Sequence, residues 1–156
     1  MDDNAYTYAG FWVRAGAAVV DTLLLMLITT PLLLHFYGWS YFTQEDTPWV
    51  QGPADLLISW VFPAVAVIGF WIKKQATPGK MALSCKVVDA ATGQPASTGQ
   101  LVVRYIGYYV AMLPLFLGII WVAFDPRKQG WHDKLARTVV IKKIRSGPEK
   151  AQFNLH

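Results

Sequence analysis

AGAAVVDTLLLMLITTPLLL occupies residues 15–34, and Asp21 is the one charged residue within it. As an α-helix, a run of about 20 residues is about 30 Å long, which matches the hydrocarbon thickness of a bilayer. The stretch therefore predicts a membrane-spanning helix. Pro31 is expected to bend or end that helix, because proline removes a backbone donor and clashes with the preceding turn.

Two more apolar segments follow, at residues 56–72 and 101–124. Pro63 lies inside the second segment and predicts a kink there. Two full crossings by the third segment would need about 40 residues. That segment therefore either crosses once or turns back as a re-entrant or bent hairpin near Pro114. The sequence predicts an all-α integral membrane protein with three apolar segments.

The composition of the 156-residue chain supports this class. Hydrophobic residues make up 54% and charged residues 15%, whereas a typical soluble domain has about 25% charged residues. These values exclude a disordered or collagen-like chain. The formal net charge is +4, but the basic residues lie beside apolar segments and form no stripe with aromatic residues. We therefore expect no nucleic-acid partner.

The residues that could carry redox, metal or catalytic chemistry are few. Cys85 is the only cysteine, which excludes an intrachain disulfide and a thiolate metal cluster. No pair of histidines has the spacing of metal ligands. No combination of Ser, His, Asp or Cys has a soluble scaffold to hold it. We therefore expect no metal, no cofactor and no enzymatic activity.

The charges of the connecting links predict the topology. Residues 35–55 contain three acidic residues and no Lys or Arg, whereas residues 73–100 contain four lysines and one acid. The positive-inside rule places the first link outside and the second in the cytosol, so the N-terminus is cytosolic. Residues 125–156 carry eight basic residues against three acidic ones. A cytosolic C-terminus then requires the third segment to turn back.

Two short stretches predict a small cytosolic β element. Residues 83–89 read as one strand, and residues 138–141, rich in β-branched side chains, read as another. Two such strands are unstable unless they pair, and pairing requires both on one face of the membrane. We expect one domain over residues 1–156, with its core at 9–143 and a flexible tail at 144–156.

Asp21 is the strongest single indication of function. A charged side chain inside a membrane helix is costly, so it usually faces the interior of a bundle and has a partner there. Arg14 precedes it by nearly two turns, which puts both residues on one face, about 10 Å apart along the helix axis. Ala17 lies near that face and would let another helix approach closely. The pair predicts either a proton or cation site, or a structural ion pair.

Three further candidate site residues lie later in the chain. Arg104 is interpreted either as a counter-ion to Asp21 or as a side chain that snorkels to the membrane boundary. His132 is expected to titrate near neutral pH. Asp133 is expected to cap the following turn or to bind basic residues near it. Lys80, in the turn TPGK at 77–80, lacks the spacing of a P-loop and does not indicate nucleotide binding.

Four motifs occur in order along the chain: FWVRAGAAVVD at 11–21, ATPGKM at 76–81 with KVVD at 86–89, RYIG at 104–107, and GWHDKLARTVV at 130–140. Together they resemble the RDD family of small membrane proteins, which is named for one arginine and two aspartates. Arg14 and Asp21 match the opening motif, and Asp133 matches the second aspartate. The resemblance spans residues 9–143. Arg137 departs from it, because glycine is commoner at that position.

This resemblance implies a bacterial inner (plasma) membrane protein. Transport has been proposed for the family, and some members have been linked to sodium–proton exchange. The first hypothesis is therefore a transporter of protons and a monovalent cation, which needs a homo-oligomer because one small subunit encloses no pathway. The alternative is a membrane interaction or assembly protein. Its basic cytosolic face would attract anionic lipid headgroups.

Overall fold

A computed structural model describes residues 6–46 and 48–144. The helical elements of this part of the chain are α1 (Phe11–Tyr37), α2 (Ser40–Thr43), α3 (Pro53–Asp55), α4 (Phe62–Lys74), α5 (Pro78–Ala82), α6 (Thr98–Met112), α7 (Leu117–Ile120) and α8 (Trp131–Ala136). The strands are β1 (Tyr6–Tyr8), β2 (Cys85–Asp89) and β3 (Thr138–Lys143).

Within the described residues, two straight helices are long and apolar enough to cross a membrane, as predicted for the first two apolar segments. The first is α1, which continues through Pro31 to Tyr37, so of the two expected effects of Pro31, a bend or an end, the end is wrong. The second runs from Pro53 to Lys74 and joins α3 and α4 through a π-helical segment, Leu56–Val61. This segment ends two residues before Pro63, whose ring nitrogen cannot donate a helical hydrogen bond.

The third apolar segment is bent. Helix α6 meets α7 and the 3₁₀ turn Trp121–Ala123 at an angle of 115°. The helix breaks at Leu115 and Phe116, whose φ angles of 53° and 62° are left-handed. Beyond the break α7 folds against α6, since a Cβ on Gly118 would lie 2.8 Å from the Ala111 Cβ. Residues 101–124 therefore do not form one straight helix.

The three strands form one antiparallel sheet in the order β1-β3-β2. The predicted pairing of the second and third strands is confirmed, with Val87 opposite Val140. Strand β1, which pairs with β3 through Tyr8 and Ile141, was not predicted. The sheet unites the N-terminal strand, the link after the second span and the chain after the bent pair. All three therefore lie on one side of the helices.

The main core lies where the sheet meets the helices. It contains Ala9, Trp71, Cys85, Val87, Leu101 and Val140. Helix α8 packs on α6 at Gly107, where a Cβ would lie 3.0 Å from the Cα of His132. Of the tail expected at 144–156, residues 145–156 lie outside the described part of the chain.

Candidate functional site

Asp133 is the centre of a buried ionic cluster. Its Oδ2 atom lies 2.5 Å from Arg14 Nη1, and its Oδ1 atom forms a salt bridge with Arg104 Nη1. The backbone N–H of Gly130 donates a third hydrogen bond, of 2.9 Å, which satisfies a free donor at the beginning of α8. The side chain of Asp133 is fully buried. Burial alone would raise its pKa, but Arg104 and Arg14 outweigh that effect and hold the pKa well below its usual range.

Arg14 joins three parts of the chain. Besides Asp133, its guanidinium donates to the carbonyl oxygens of Ala9 at 3.0 Å and of Lys128 at 2.5 Å. These contacts connect the end of β1 and the start of α1 with the loop before α8. The side chain is 11% exposed, so this arginine is mostly enclosed by protein.

Arg104 is fully buried, so the expectation that it snorkels to the membrane boundary is wrong. Its Nη1 atom also donates to Thr138 Oγ1 at 2.8 Å, and its Nη2 atom donates to the Tyr108 hydroxyl at 3.3 Å. It does not pair with Asp21 either. Because Gly107 lets α8 approach α6 closely, the guanidinium meets Asp133 instead of lipid phosphates.

His132 lies in an aromatic stack beside the cluster. Its ring centroid is 4.0 Å from that of Tyr108, which in turn stacks on Trp71 at 6.2 Å. Burial lowers the pKa of His132 to about 3, although the Asp133 carboxylate opposes this shift. The imidazole is therefore neutral at pH 7 and does not titrate there. Neither ring nitrogen has a hydrogen-bond partner among the described residues.

Asp21 lies apart from this cluster and caps a different element. Its Oδ2 atom accepts a 2.5 Å hydrogen bond from the Thr77 hydroxyl, and its Oδ1 atom accepts one of 2.7 Å from the Gly79 backbone N–H. Asp21 thus meets protein, as expected, at the first turn of α5. Ala17 is fully buried there, and its carbonyl packs so closely on Gly79 that a Cβ on Gly79 would clash with it. Arg14 and Asp21 therefore lie on one helix but have different partners.

Asp21 also faces a cavity of about 420 Å³ between α1, α4 and α6. Thr77 and Lys80 line its end nearest the sheet, and Asp21 is the only carboxylate among its described lining residues. Tyr105, Tyr108 and Tyr109 of α6 also line the cavity. The rest of the wall is largely apolar, with Leu24, Leu25, Ile28, Phe62, Val67 and Met112 among the lining residues.

Sequence reasoning missed Lys80, Thr77 and Trp71. Lys80 is 8% exposed, and its ammonium nitrogen lies 5.9 Å from the centroid of the Trp71 ring. The TPGK run was interpreted as a turn and as part of a family motif, but not as a source of site residues. Its threonine and glycine bind Asp21, and its lysine enters the cavity.

A second buried carboxylate, Asp55, was also missed. It accepts hydrogen bonds from the Tyr41 hydroxyl at 2.7 Å, the Ser59 hydroxyl at 2.6 Å and the Gln51 backbone N–H at 2.8 Å. This network fixes the beginning of the second span, far from the sheet. Among the residues with described positions, no group of three His, Cys, Asp or Glu side chains lies close enough to hold a metal ion.

Comparisons with known proteins place this architecture among membrane proteins. The model of the RDD family matches residues 8–137. The uncharacterised membrane protein YteJ of Bacillus subtilis is 29% identical over 141 residues, covering 87% of this chain and 82% of YteJ. An uncharacterised protein of Rickettsia prowazekii is 40% identical over 75 residues, which cover 48% of this chain and 41% of that relative. No solved structure matches the chain.

Proposed function

Since this chain belongs to the RDD family of membrane proteins, we propose that it exchanges protons for a monovalent cation across a bacterial inner membrane. One observation carries the proposal: Asp21 is the only carboxylate on the described lining of a cavity between apolar helices. We assign Asp21 as the exchange group. The chain would do this without an enzymatic step.

The chemistry of exchange follows from the surroundings of Asp21. A carboxylate with apolar walls on most sides is stabilised when its charge is neutralised. Each Asp21 oxygen accepts one hydrogen bond, from Thr77 or from Gly79, and keeps lone-pair capacity for a further partner. Either a proton or an alkali cation can neutralise the carboxylate, but not both at once. This competition couples the two ions.

The Arg14–Asp133–Arg104 cluster has a different role in this proposal. Asp133 and Arg104 are fully buried, and Asp133 already has three donors. Binding an ion there would require opening the contact between α6 and α8. We therefore assign this cluster to the scaffold that holds α1, α6 and α8 in place, and we assign the ion chemistry to Asp21 alone.

We further propose that the sheet side is cytosolic and that the bent α6–α7 pair is a re-entrant hairpin. The positive-inside rule favours this orientation, because exposed lysines border the sheet. Both chain termini would then be cytosolic. Large outward-facing side chains, such as Leu27 at 72% exposure, cover the spans. One subunit has too few segments to enclose a pathway, so we propose a homo-oligomer.

Flux in vesicles tests the transport proposal. Purified protein in liposomes should move protons when a sodium or potassium gradient is imposed, and Asp21→Asn should lower the flux at least tenfold. An asparagine can still accept from Gly79, so the fold should survive, which thermal unfolding would verify. Asp46→Asn, at an exposed position, is the matched control. An Asp21→Asn variant with wild-type flux would contradict the role of Asp21.

One observation favours a second candidate, a membrane interaction or assembly protein. A groove of about 620 Å³ lies between the end of α4 and the sheet, and Lys73, Lys74, Lys86 and Lys143 line it. Each basic residue near an anionic leaflet contributes about 1 kcal/mol of attraction. Folded protein without cation-driven flux, together with vesicle binding that needs anionic lipid and these lysines, would favour this candidate over transport.

A further inference from the structure

We propose that the cavity between α1, α4 and α6 binds a long-chain fatty acid, with the fatty-acid carboxylate on Lys80. This inference goes beyond ion exchange, since it assigns an organic ligand to the cavity. It is carried by Lys80, a residue that is only 8% exposed and that lines an otherwise largely apolar cavity.

Lys80 is more than nine-tenths buried and lines this cavity. Its ammonium lies 5.9 Å from the centroid of the Trp71 ring. Within residues 6–46 and 48–144, it has no carboxylate within 4.0 Å and no hydrogen-bond acceptor. A buried charge is costly unless it is paired, and a cation–π contact is weaker than an ion pair. The ammonium therefore favours an anion inside the cavity.

The nearby carboxylates accept hydrogen bonds from other donors, although Asp21 keeps lone-pair capacity for a further partner. Asp133 is held by Arg14, Arg104 and the Gly130 N–H. Both oxygens of Asp21 accept hydrogen bonds from the beginning of α5. Neither approaches Lys80 to within salt-bridge distance. The partner that the ammonium favours thus comes from outside the described chain.

The cavity wall defines the rest of the ligand. Leu24, Leu25 and Ile28 of α1 face it, together with Phe62 of α4 and Met112 of α6. A volume of about 420 Å³ falls within the usual range of pockets for small molecules, about 300–1,000 Å³. An apolar wall leading away from one ammonium suits a single acyl chain with an anionic head.

The charge of the site favours a carboxylate over a larger headgroup. Lys80 supplies one positive charge, and Asp21 on the same lining repels an anion in proportion to its charge, so a carboxylate with one charge is opposed less than a headgroup with two. Thr77 and Lys80, at the polar end of the cavity, follow the end of the second span at Lys74, so we place this end among the lipid headgroups of that leaflet. A fatty acid can therefore enter from that leaflet with its carboxylate at headgroup depth.

A direct measurement of palmitate binding tests the proposal. Protein in phosphatidylcholine nanodiscs should bind radiolabelled palmitate saturably in the absence of any ion gradient. Lys80→Met, which keeps the length and apolar stem of the side chain, should weaken binding at least tenfold. Lys80→Arg should stay within threefold of wild type. Arg137→Gln removes an exposed charge remote from the cavity and is the charge-matched control.

Three results would overturn the assignment. In the first, the methyl ester of palmitate binds as tightly as palmitate itself. In the second, Lys80→Met binds palmitate as tightly as Arg137→Gln does. In the third, the protein binds lysophosphatidylglycerol but not palmitate. Circular dichroism of Lys80→Met would establish that the variant is folded. Asp21→Asn should keep palmitate binding whether or not it loses flux, so the failure of one proposal is distinguishable from the failure of the other.

Discussion

Arg14 and Asp133 form a salt bridge of 2.5 Å between Nη1 and Oδ2, although 119 residues separate them along the chain. The same carboxylate also binds Arg104. The start of the first span, the middle of α6 and the short helix α8 thus converge on one buried group. Arg14, Arg104 and Asp133, three of the candidate site residues from the sequence, therefore hold these three segments together.

Asp133→Asn should destabilise the protein strongly, because it leaves two guanidinium groups facing each other without a counter-charge. Removing one partner of a buried pair costs about 3–5 kcal/mol. Chemical unfolding in detergent micelles should register that loss, and the variant should accumulate poorly in membranes. Glu45→Gln, at an exposed acid, should stay within about 0.5 kcal/mol of wild type. Equal stability of the two variants would show that the cluster does not hold the fold.

Gly79→Ala should push α5 away from α1. A Cβ at this position would clash with the Ala17 carbonyl and would lie 2.9 Å from the Asp21 Cγ. Neither neighbour is the free end of a flexible side chain, so we expect a cost of about 1–3 kcal/mol. Gly99→Ala is the matched control, since a Cβ at that helical position meets nothing within 4 Å. A thermal unfolding series of both variants checks the difference.

His132 should make stability depend on pH between about 6.5 and about 3. The folded pKa is lowered to about 3 from an ordinary 6.5, so in this window the unfolded chain binds a proton that the folded chain does not. Stability should therefore fall as the pH drops, by about 1.4 kcal/mol for each pH unit.

His132→Phe retains an aromatic ring beside Tyr108 and removes the titrating group, so the slope of unfolding free energy against pH should become shallower. His35→Phe, at an exposed histidine, should leave that slope unchanged. The measured quantity is the slope of the unfolding free energy against pH, and not the unfolding free energy at a single pH. An unchanged slope in His132→Phe would contradict the buried, neutral imidazole.

Cysteine labelling should place β2 and β3 on one side of the membrane. Lys86→Cys and Lys143→Cys, both at exposed positions, should react with an impermeant maleimide from the same side, whereas Glu45→Cys should react from the other. Native Cys85 should react little, because it is 2% exposed and burial raises the pKa of its thiol. Labelling of positions 86 and 143 from opposite sides would contradict the sheet.

Local patterns in the sequence predicted the spans, the pairing of β2 with β3 and the inward orientation of Asp21. These features depend on the composition of a segment and on the free-energy cost of a charged side chain within a membrane helix. Both can be judged from one segment alone. Strand β1 was not predictable, because Tyr6–Tyr8 is only three residues long and is stabilised by β3. The partner of Arg14 and the burial of Lys80 depend on contacts between distant segments, and no spacing rule encodes such contacts.

The strand order β1-β3-β2 determines when the sheet can form during synthesis of the chain. Of the described strands, the central one, β3, is synthesised last, so β1 and β2 leave the ribosome before the strand that pairs with both. Both long apolar helices can already be inserted in the membrane before Asp133, the salt-bridge partner of Arg14, has been synthesised. A nascent chain that stops before Thr138 would thus carry unmatched strand edges and an orphaned guanidinium. The sheet therefore closes only after Thr138–Lys143 has been made.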